Sequence, residues 1–152
     1  MRCTLFDPIV AVVTETSKVV IQEIVSVCDT DCWFIVIDRK YSAYRLIKDH
    51  NQRPSSEAPE KLLENVKFVQ SNKHSAIFLT LDGCLLAMGK DPLRTGILGL
   101  GPTEFYAKTP KSIFSEKTTS ISVSDNYAVA LTTQGDLLLW GTTKDNFFGN
   151  LL

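Results

Sequence analysis

The chain is poor in the features that announce a catalyst, a metal site or a membrane span. Its 152 residues include two histidines and four cysteines. His50 and His74 lie far apart, and neither stands in ligand spacing with a cysteine. Cys3, Cys28, Cys32 and Cys84 are irregularly spaced, and Cys28-x-x-x-Cys32 is neither a zinc knuckle nor a CxxC redox pair. No metal or cofactor site is therefore expected, and the thiols are expected to be reduced and mostly buried. No apolar run approaches the roughly eighteen residues that a membrane-spanning helix needs. Asp7 and Pro8 interrupt the apolar core of any signal peptide, and no Asn-x-Ser/Thr glycosylation site occurs. A cytoplasmic location is expected, with the nucleus or a cytoskeletal or ciliary structure as alternatives. A basic excess is also missing: 16 Lys+Arg face 17 Asp+Glu, for a net charge of −1. A surface dedicated to nucleic acid requires clustered positive charge, so no nucleic-acid partner is expected.

What the chain does contain is short, β-rich segments between turns. At 44% hydrophobic and 22% charged it has the balance of a folded domain with a core. Segments 6–14, 18–27, 32–37 and 41–47 are rich in β-branched and aromatic residues and are separated by polar turns, which predicts a meander of four strands. Lys48 to Glu60 is polar and holds Pro54 and Pro59; residues 48–65 read as a surface loop, with one helical turn over Ser56 to Glu64.

The most specific stretch is Gly89-Lys-Asp-Pro-Leu-Arg-Thr-Gly96-Ile-Leu-Gly99-Leu-Gly101, in which glycines bracket a polar turn and a short apolar plug. Its layout recurs in Gly141-Thr-Thr-Lys-Asp-Asn-Phe-Phe-Gly149. Upstream, Val66 to Gly89 and Thr118 to Gly141 align at a shift of 52 residues, which places Gly83 on Gly135, Ala76 on Ala128, Leu79 on Leu131, Thr80 on Thr132 and Gly89 on Gly141. Each unit reads strand, tight turn, strand, glycine. Asp82-Gly83 and Gln134-Gly135 supply the positive φ of a two-residue hairpin turn. Gly83, Gly89, Gly96, Gly99, Gly101, Gly135 and Gly141 are thus candidate structural turn glycines. A period near 50 built from strands and turns is the signature of a β-propeller or a related array.

At these residues the chain resembles the RCC1 (regulator of chromosome condensation) repeat family. The motifs are Leu79-Thr-Leu-Asp-Gly83, Gly96-Ile-Leu-Gly-Leu-Gly101 with Pro110, Ala130-Leu-Thr-Thr-Gln-Gly135 and Leu139-Trp140-Gly141. The likeness covers Val66 to Gly141 and is faint over Ile24 to Leu46, where no glycine marks a turn at Arg39-Lys40. Met88 stands where the family has tryptophan. Ser75 and Tyr127 fall where it has histidine. The resemblance implies a divergent, all-β fold of about three four-stranded antiparallel blades in an incomplete ring, with units near 6–47, 66–101 and 118–152. A complete family ring has seven blades. Gly149 to Leu152 break off inside a blade, so the chain is expected to be one section of a longer propeller, to be completed by another chain, or to self-associate through its open edges.

No nucleophile, base and orienting group stand in a catalytic pattern. His74 and Ser75 are adjacent on a strand and point to opposite faces. The run from Gly96 to Gly101 lacks the helix and the lysine of a phosphate loop, being followed by Pro102-Thr-Glu-Phe. Trp33-Phe34 and Phe147-Phe148 are expected to divide between core and blade interface. The resemblance implies a non-enzymatic interaction scaffold or regulatory domain. Its alternatives are a guanine-nucleotide exchange factor for a small GTPase and a structural subunit of a cytoskeletal or ciliary assembly. The expected partner is protein: further blades, another chain or a small GTPase. Loops 90–95 and 142–146 should share one rim, with Lys90, Asp91, Arg94, Lys144 and Asp145 as candidate contact residues.

Overall fold

The computed structural model of the chain describes residues 24–142 and the strand 147–148. Among these residues twelve strands form three four-stranded antiparallel sheets, each a meander in chain order. The first blade holds β1 (Ile24–Asp29), β2 (Trp33–Asp38), β3 (Ala43–Ile47) and β4 (Glu60–Leu63). The second holds β5 (Val66–Ser71), β6 (Ser75–Thr80), β7 (Leu85–Lys90) and β8 (Tyr106–Ser112). The third holds β9 (Thr118–Val123), β10 (Tyr127–Thr132), β11 (Leu137–Thr142) and β12 (Phe147–Phe148). No helix occurs among the described residues.

The first strands of the three blades run side by side and form the inner row of an arc. The Cys28 thiol on β1 donates to the Val69 carbonyl on β5 at 3.0 Å, and the Ser71 hydroxyl donates to the Asp29 carbonyl at 3.0 Å. One step along, Gln70 Oε1 accepts from the Val123 amide of β9 at 2.8 Å. The alternation of side chains along each strand then sends residues to two blade interfaces. Trp33, Ile35, Ile37 and Ala43 pack against Val66, Val69, Ala76, Phe78 and Met88. Ile77, Leu79, Leu85 and Ala87 pack against Ile121, Ala128, Ala130, Leu138 and Trp140. Strands β2 and β6 are buried along their whole length. That double burial is why both read as continuous apolar runs rather than as alternating ones. Each fully buried Leu, Ile or Phe there contributes roughly 1.5–3 kcal/mol relative to exposure.

One turn is built three times, between the second and third strands. The amides of Tyr41, Gly83 and Gly135 donate to the carbonyls of Asp38, Thr80 and Thr132 at 3.0, 3.0 and 3.2 Å. All three donor residues have positive φ, 62°, 84° and 94°. The closing pairs are Asp38–Ser42, Thr80–Cys84 and Thr132–Asp136, so the loop has three residues, not the expected two. A side-chain oxygen at the first position finishes it: the amides of Ser42, Cys84 and Asp136 donate to Asp38 Oδ1, Thr80 Oγ1 and Thr132 Oγ1 at 2.9, 2.9 and 3.0 Å. The first blade makes this turn with a tyrosine in the left-handed region, so no glycine marks it in the sequence.

Two other boundaries differ from the sequence expectation. Strand β4 lies inside the segment read as a loop, and Ser56 to Glu64 forms no helical turn. Glu60-Lys-Leu-Leu has no β-branched residue to announce a strand; it is ordered by pairing with Ala43 to Arg45. Strand β8 lies beyond Gly101 and contains Pro110, which an outer strand tolerates. The first blade therefore spans Ile24 to Leu63 and the second Val66 to Ser112. The segment 6–23, assigned above to the first unit, lies outside the described residues.

Candidate functional site

Two surfaces carry the features that bear on function: the rim formed by the turns after each blade's first strand, and the outer face of the third blade. At the rim the turns are tied in sequence. The Asp31 amide donates to the Lys73 carbonyl at 2.9 Å, and Asn72 Nδ2 donates to the Asp125 carbonyl at 2.9 Å. Asn72 is the organising residue of the middle turn. Its Oδ1 accepts from the His74 amide at 2.9 Å, the Ser75 amide at 2.8 Å and the Ser75 hydroxyl at 2.9 Å. Asn72 thus fixes its own turn and reaches the next blade. Sequence reasoning missed it; the signal was the short polar side chain two and three residues before the amides it accepts from. The Ser75 hydroxyl is engaged by Asn72, while His74 Nδ1 faces Asp31 Oδ2 at 3.6 Å, so the two do not form a dyad.

The candidate rim residues separate into two kinds. Lys90 is exposed at the end of β7. Arg94 is exposed with φ 53°, and its guanidinium lies over the Phe105 ring at 4.9 Å from the centroid. Asp91, by contrast, is only 3% exposed. Its Oδ1 accepts from the Thr95 amide and hydroxyl at 2.9 and 3.0 Å, and its Oδ2 accepts from the Gly96 amide at 2.7 Å. Asp91 is a staple for its own loop rather than a contact residue, which corrects its assignment to the partner-binding rim. Lys144 and Asp145 lie outside the described residues.

The staple positions the apolar plug that follows. Ile97 and Leu98 are buried in the interface between the second and third blades. The Ile97 carbonyl accepts from Trp140 Nε1 at 2.8 Å, and Phe114 meets the Trp140 ring edge-on with centroids 5.0 Å apart. Gly99 fits between them: a Cβ there would lie 3.4 Å from both Phe114 Cζ and Trp140 Nε1. The glycine-bracketed run therefore locks a loop of one blade beneath the tryptophan of the next. Gly101 and Gly135 lie in open space by the same measure, so their requirement is one of backbone conformation alone.

The thiols behave differently from one another. Cys28 is half-buried, and burial pushes its pKa above the ordinary value. Cys32 is exposed, against the expectation of buried thiols, and Cys84 lies 3.0 Å from Lys117 Nζ. Cys3 is outside the described residues. Among the described residues no group of three His, Cys, Asp or Glu side chains is placed to hold a metal ion, and no helix is long and apolar enough to cross a membrane. Trp33 and Phe34 are both buried, on opposite faces of the first blade.

The outer faces of the end blades contrast. On the first blade Phe34, Val36, Tyr44 and Leu46 are buried. On the third blade the outward face, which is the opposite side of the repeat, shows Tyr127 and Leu131 at 38% exposure and Leu137 at 71%. Val129 and Leu139 lie half-buried beside them. Strand alternation puts these five on the face turned away from the second blade.

Together these features define an open arc of β-propeller blades. No family model and no curated protein matches the chain. Solved structures do. Human WBSCR16 matches with a TM-score of 0.64 at 16% identity, covering 82% of this chain and 34% of that one. A chain of the complex of Kap60 with yeast RCC1 (Prp20) matches with a TM-score of 0.62 at 18% identity, covering 87% and 34%. Prp20p from Saccharomyces cerevisiae matches with a TM-score of 0.59 at 20% identity, covering 86% and 34%. The fold is that of a divergent RCC1-like propeller, and the chain spans about a third of the length of these structures.

Proposed function

We propose that the chain is a non-enzymatic section of an RCC1-like propeller that serves as a protein-interaction scaffold or regulatory domain of a larger protein. The observation that carries this is the outer face of the third blade. Leu131 and Leu137 are exposed cross-strand neighbours with Tyr127 exposed on the same face, whereas their counterparts Ile37 and Ala43 of the first blade are buried against the second. A blade face of this kind is stabilised when another polypeptide covers it, either a further blade or another chain. Structural neighbours take protein partners: Prp20p has binding properties toward Gsp1p and histones, and yeast RCC1 was crystallised bound to Kap60. Hydroxyl-radical footprinting at rising protein concentration tests the reading. Tyr127, Leu131 and Leu137 should become protected while Leu81 and Leu93, exposed elsewhere, stay reactive. Uniform reactivity of all five at every concentration would count against it.

Guanine-nucleotide exchange on a small GTPase is the second reading, and it draws on the family resemblance. Nucleotide-release kinetics with a GTPase panel separate the two, because a scaffold leaves release rates unchanged. A structural role in a cytoskeletal or ciliary assembly is the third reading; it predicts co-purification with a filament or axonemal fraction.

A further inference from the structure

At the rim, the first and second blades part into a cleft of about 250 Å³. Its apolar lining includes Trp33 and Met88, both buried. It is lined by the cations Arg45, Lys73, Lys90 and Lys108, with His74 beside them, and no Asp or Glu lines it. That is a local concentration of positive charge in a chain whose net charge is −1. Only part of it is neutralised. Arg45 pairs with Glu60 and donates from Nη1 to the Lys108 carbonyl at 3.0 Å, which fixes its guanidinium in the wall. Lys73 and His74 share one carboxylate, Asp31, at 3.9 and 3.6 Å. Lys90 and Lys108 make no ion pair with any described residue, and both are exposed.

We propose that this cleft is a docking site for an acidic peptide segment carrying one apolar anchor residue. A low-dielectric recess lined by one sign of charge focuses its field on the opening, so it favours a ligand of opposite sign. The apolar lining selects among anions. A free phosphate gains nothing from Trp33 and Met88, whereas a Phe or Leu side chain does, and methionine adapts its shape to such an anchor. The cationic patch is compact and bounded by the two blades, not the long basic stripe that a nucleic-acid backbone follows. The proposal rests on the scaffold reading only in taking the ligand to be a polypeptide; the cleft and the third-blade face share no residue.

The test uses the full 152-residue chain and a fluorescein-labelled decapeptide of alternating Asp and Glu around one central Phe, followed by fluorescence anisotropy. Binding is expected, with at least a fivefold loss between 50 and 300 mM salt. The double variant Lys90→Glu/Lys108→Glu should weaken it at least tenfold, and Lys90→Gln/Lys108→Gln several-fold. Lys40→Glu, in the turn at the opposite rim, should change it less than twofold. Replacing the peptide's Phe by Ser should cost several-fold. The proposal is overturned if a Lys-rich control peptide binds equally, if Lys40→Glu weakens binding as much as the cleft variants, or if the Phe is without effect. It is also overturned if pyrophosphate or a single-stranded oligonucleotide competes as well as the unlabelled peptide does. Loss of peptide binding alongside intact third-blade protection would remove the cleft and leave the scaffold; the reverse would remove the scaffold face and leave the cleft.

Discussion

Replacing Gly89 by alanine should damage the fold more than replacing Gly135 by alanine, although both positions have positive φ, 114° and 94°. The backbone strain of placing a side chain in such a conformation is common to both and costs about 1–3 kcal/mol. The surroundings differ. A Cβ on Gly135 meets nothing within 4 Å. A Cβ on Gly89 would fall 2.6 Å from Ser75 Cα and press on the His74 carbonyl. These are backbone atoms of the strand directly opposite, since Ser75 pairs with Gly89, and they cannot rotate away. β6 and β7 would have to part, weakening the bond from the Lys90 amide to the His74 carbonyl at 2.9 Å and loosening Met88 in the core. At about 1 kcal/mol per weakened hydrogen bond, plus lost packing, the extra cost is about 2 kcal/mol. Urea unfolding measures it. With a slope of about 1–3 kcal/mol per molar, the Gly89→Ala midpoint should lie about 1 M below that of Gly135→Ala. Gly141→Ala should behave like Gly89→Ala, because its Cβ would fall 2.6 Å from Tyr127 Cα. Equal midpoints for Gly89→Ala and Gly135→Ala would refute the close-approach argument.

Three further outcomes follow from named contacts. Trp140→Phe removes the donor to the buried Ile97 carbonyl and should cost about 2–4 kcal/mol in chemical denaturation, from an unsatisfied acceptor plus a cavity; a cost under about 1 kcal/mol would count against the plug as an interblade lock. Asp91→Ala leaves the amides of Thr95 and Gly96 without their acceptor, and loop 91–105 should be cut by protease many times faster than in the parent while Lys90→Ala leaves the rate unchanged. Asp82 is held down to about 2 from an ordinary 3.8, chiefly by the Thr80 hydroxyl and then by Lys117. Its folded pKa lies below its unfolded one, so its stabilisation is complete above about pH 4 and is lost as pH falls towards 2. Lys117 is shifted upward, chiefly by its hydrogen bond to Cys84, so its share is present below its ordinary value of 10.5 and lost only in stronger alkali. Asp82→Asn should flatten the fall of melting temperature between pH 4 and 2, and an unchanged slope would contradict the assignment.

The second and third blades were legible because their turns use glycine where the backbone needs positive φ, and because Gly89 and Gly141 face an opposing strand too closely for any side chain. The first blade was faint for a physical reason. It builds the same hairpin with Asp38 in place of threonine and Tyr41 in place of glycine, and its third strand ends on Ile47 opposite Trp33. Strands β4 and β8 were missed because outer strands need little intrinsic β-propensity and tolerate Pro110. At the site, charge and loop position pointed to Lys90 and Arg94 on the exposed rim. They misassigned Asp91, because sequence does not distinguish a carboxylate that faces solvent from one that closes its own loop. The cationic cleft was illegible from sequence, since Arg45, Lys73, Lys90 and Lys108 come from separate strands and turns of two blades.

The mass of the chain in solution tests the central claim, an arc of blades whose third member presents exposed apolar residues on its outward face. Burying Leu131 and Leu137 against a neighbour should contribute roughly 1–2 kcal/mol each. In sedimentation equilibrium the parent chain should therefore rise above its 16.9 kDa monomer mass as concentration increases. Leu131→Lys/Leu137→Lys should stay at the monomer mass. A parent chain that remains a stable monomer across the same range, indistinguishable from the double variant, would contradict the account.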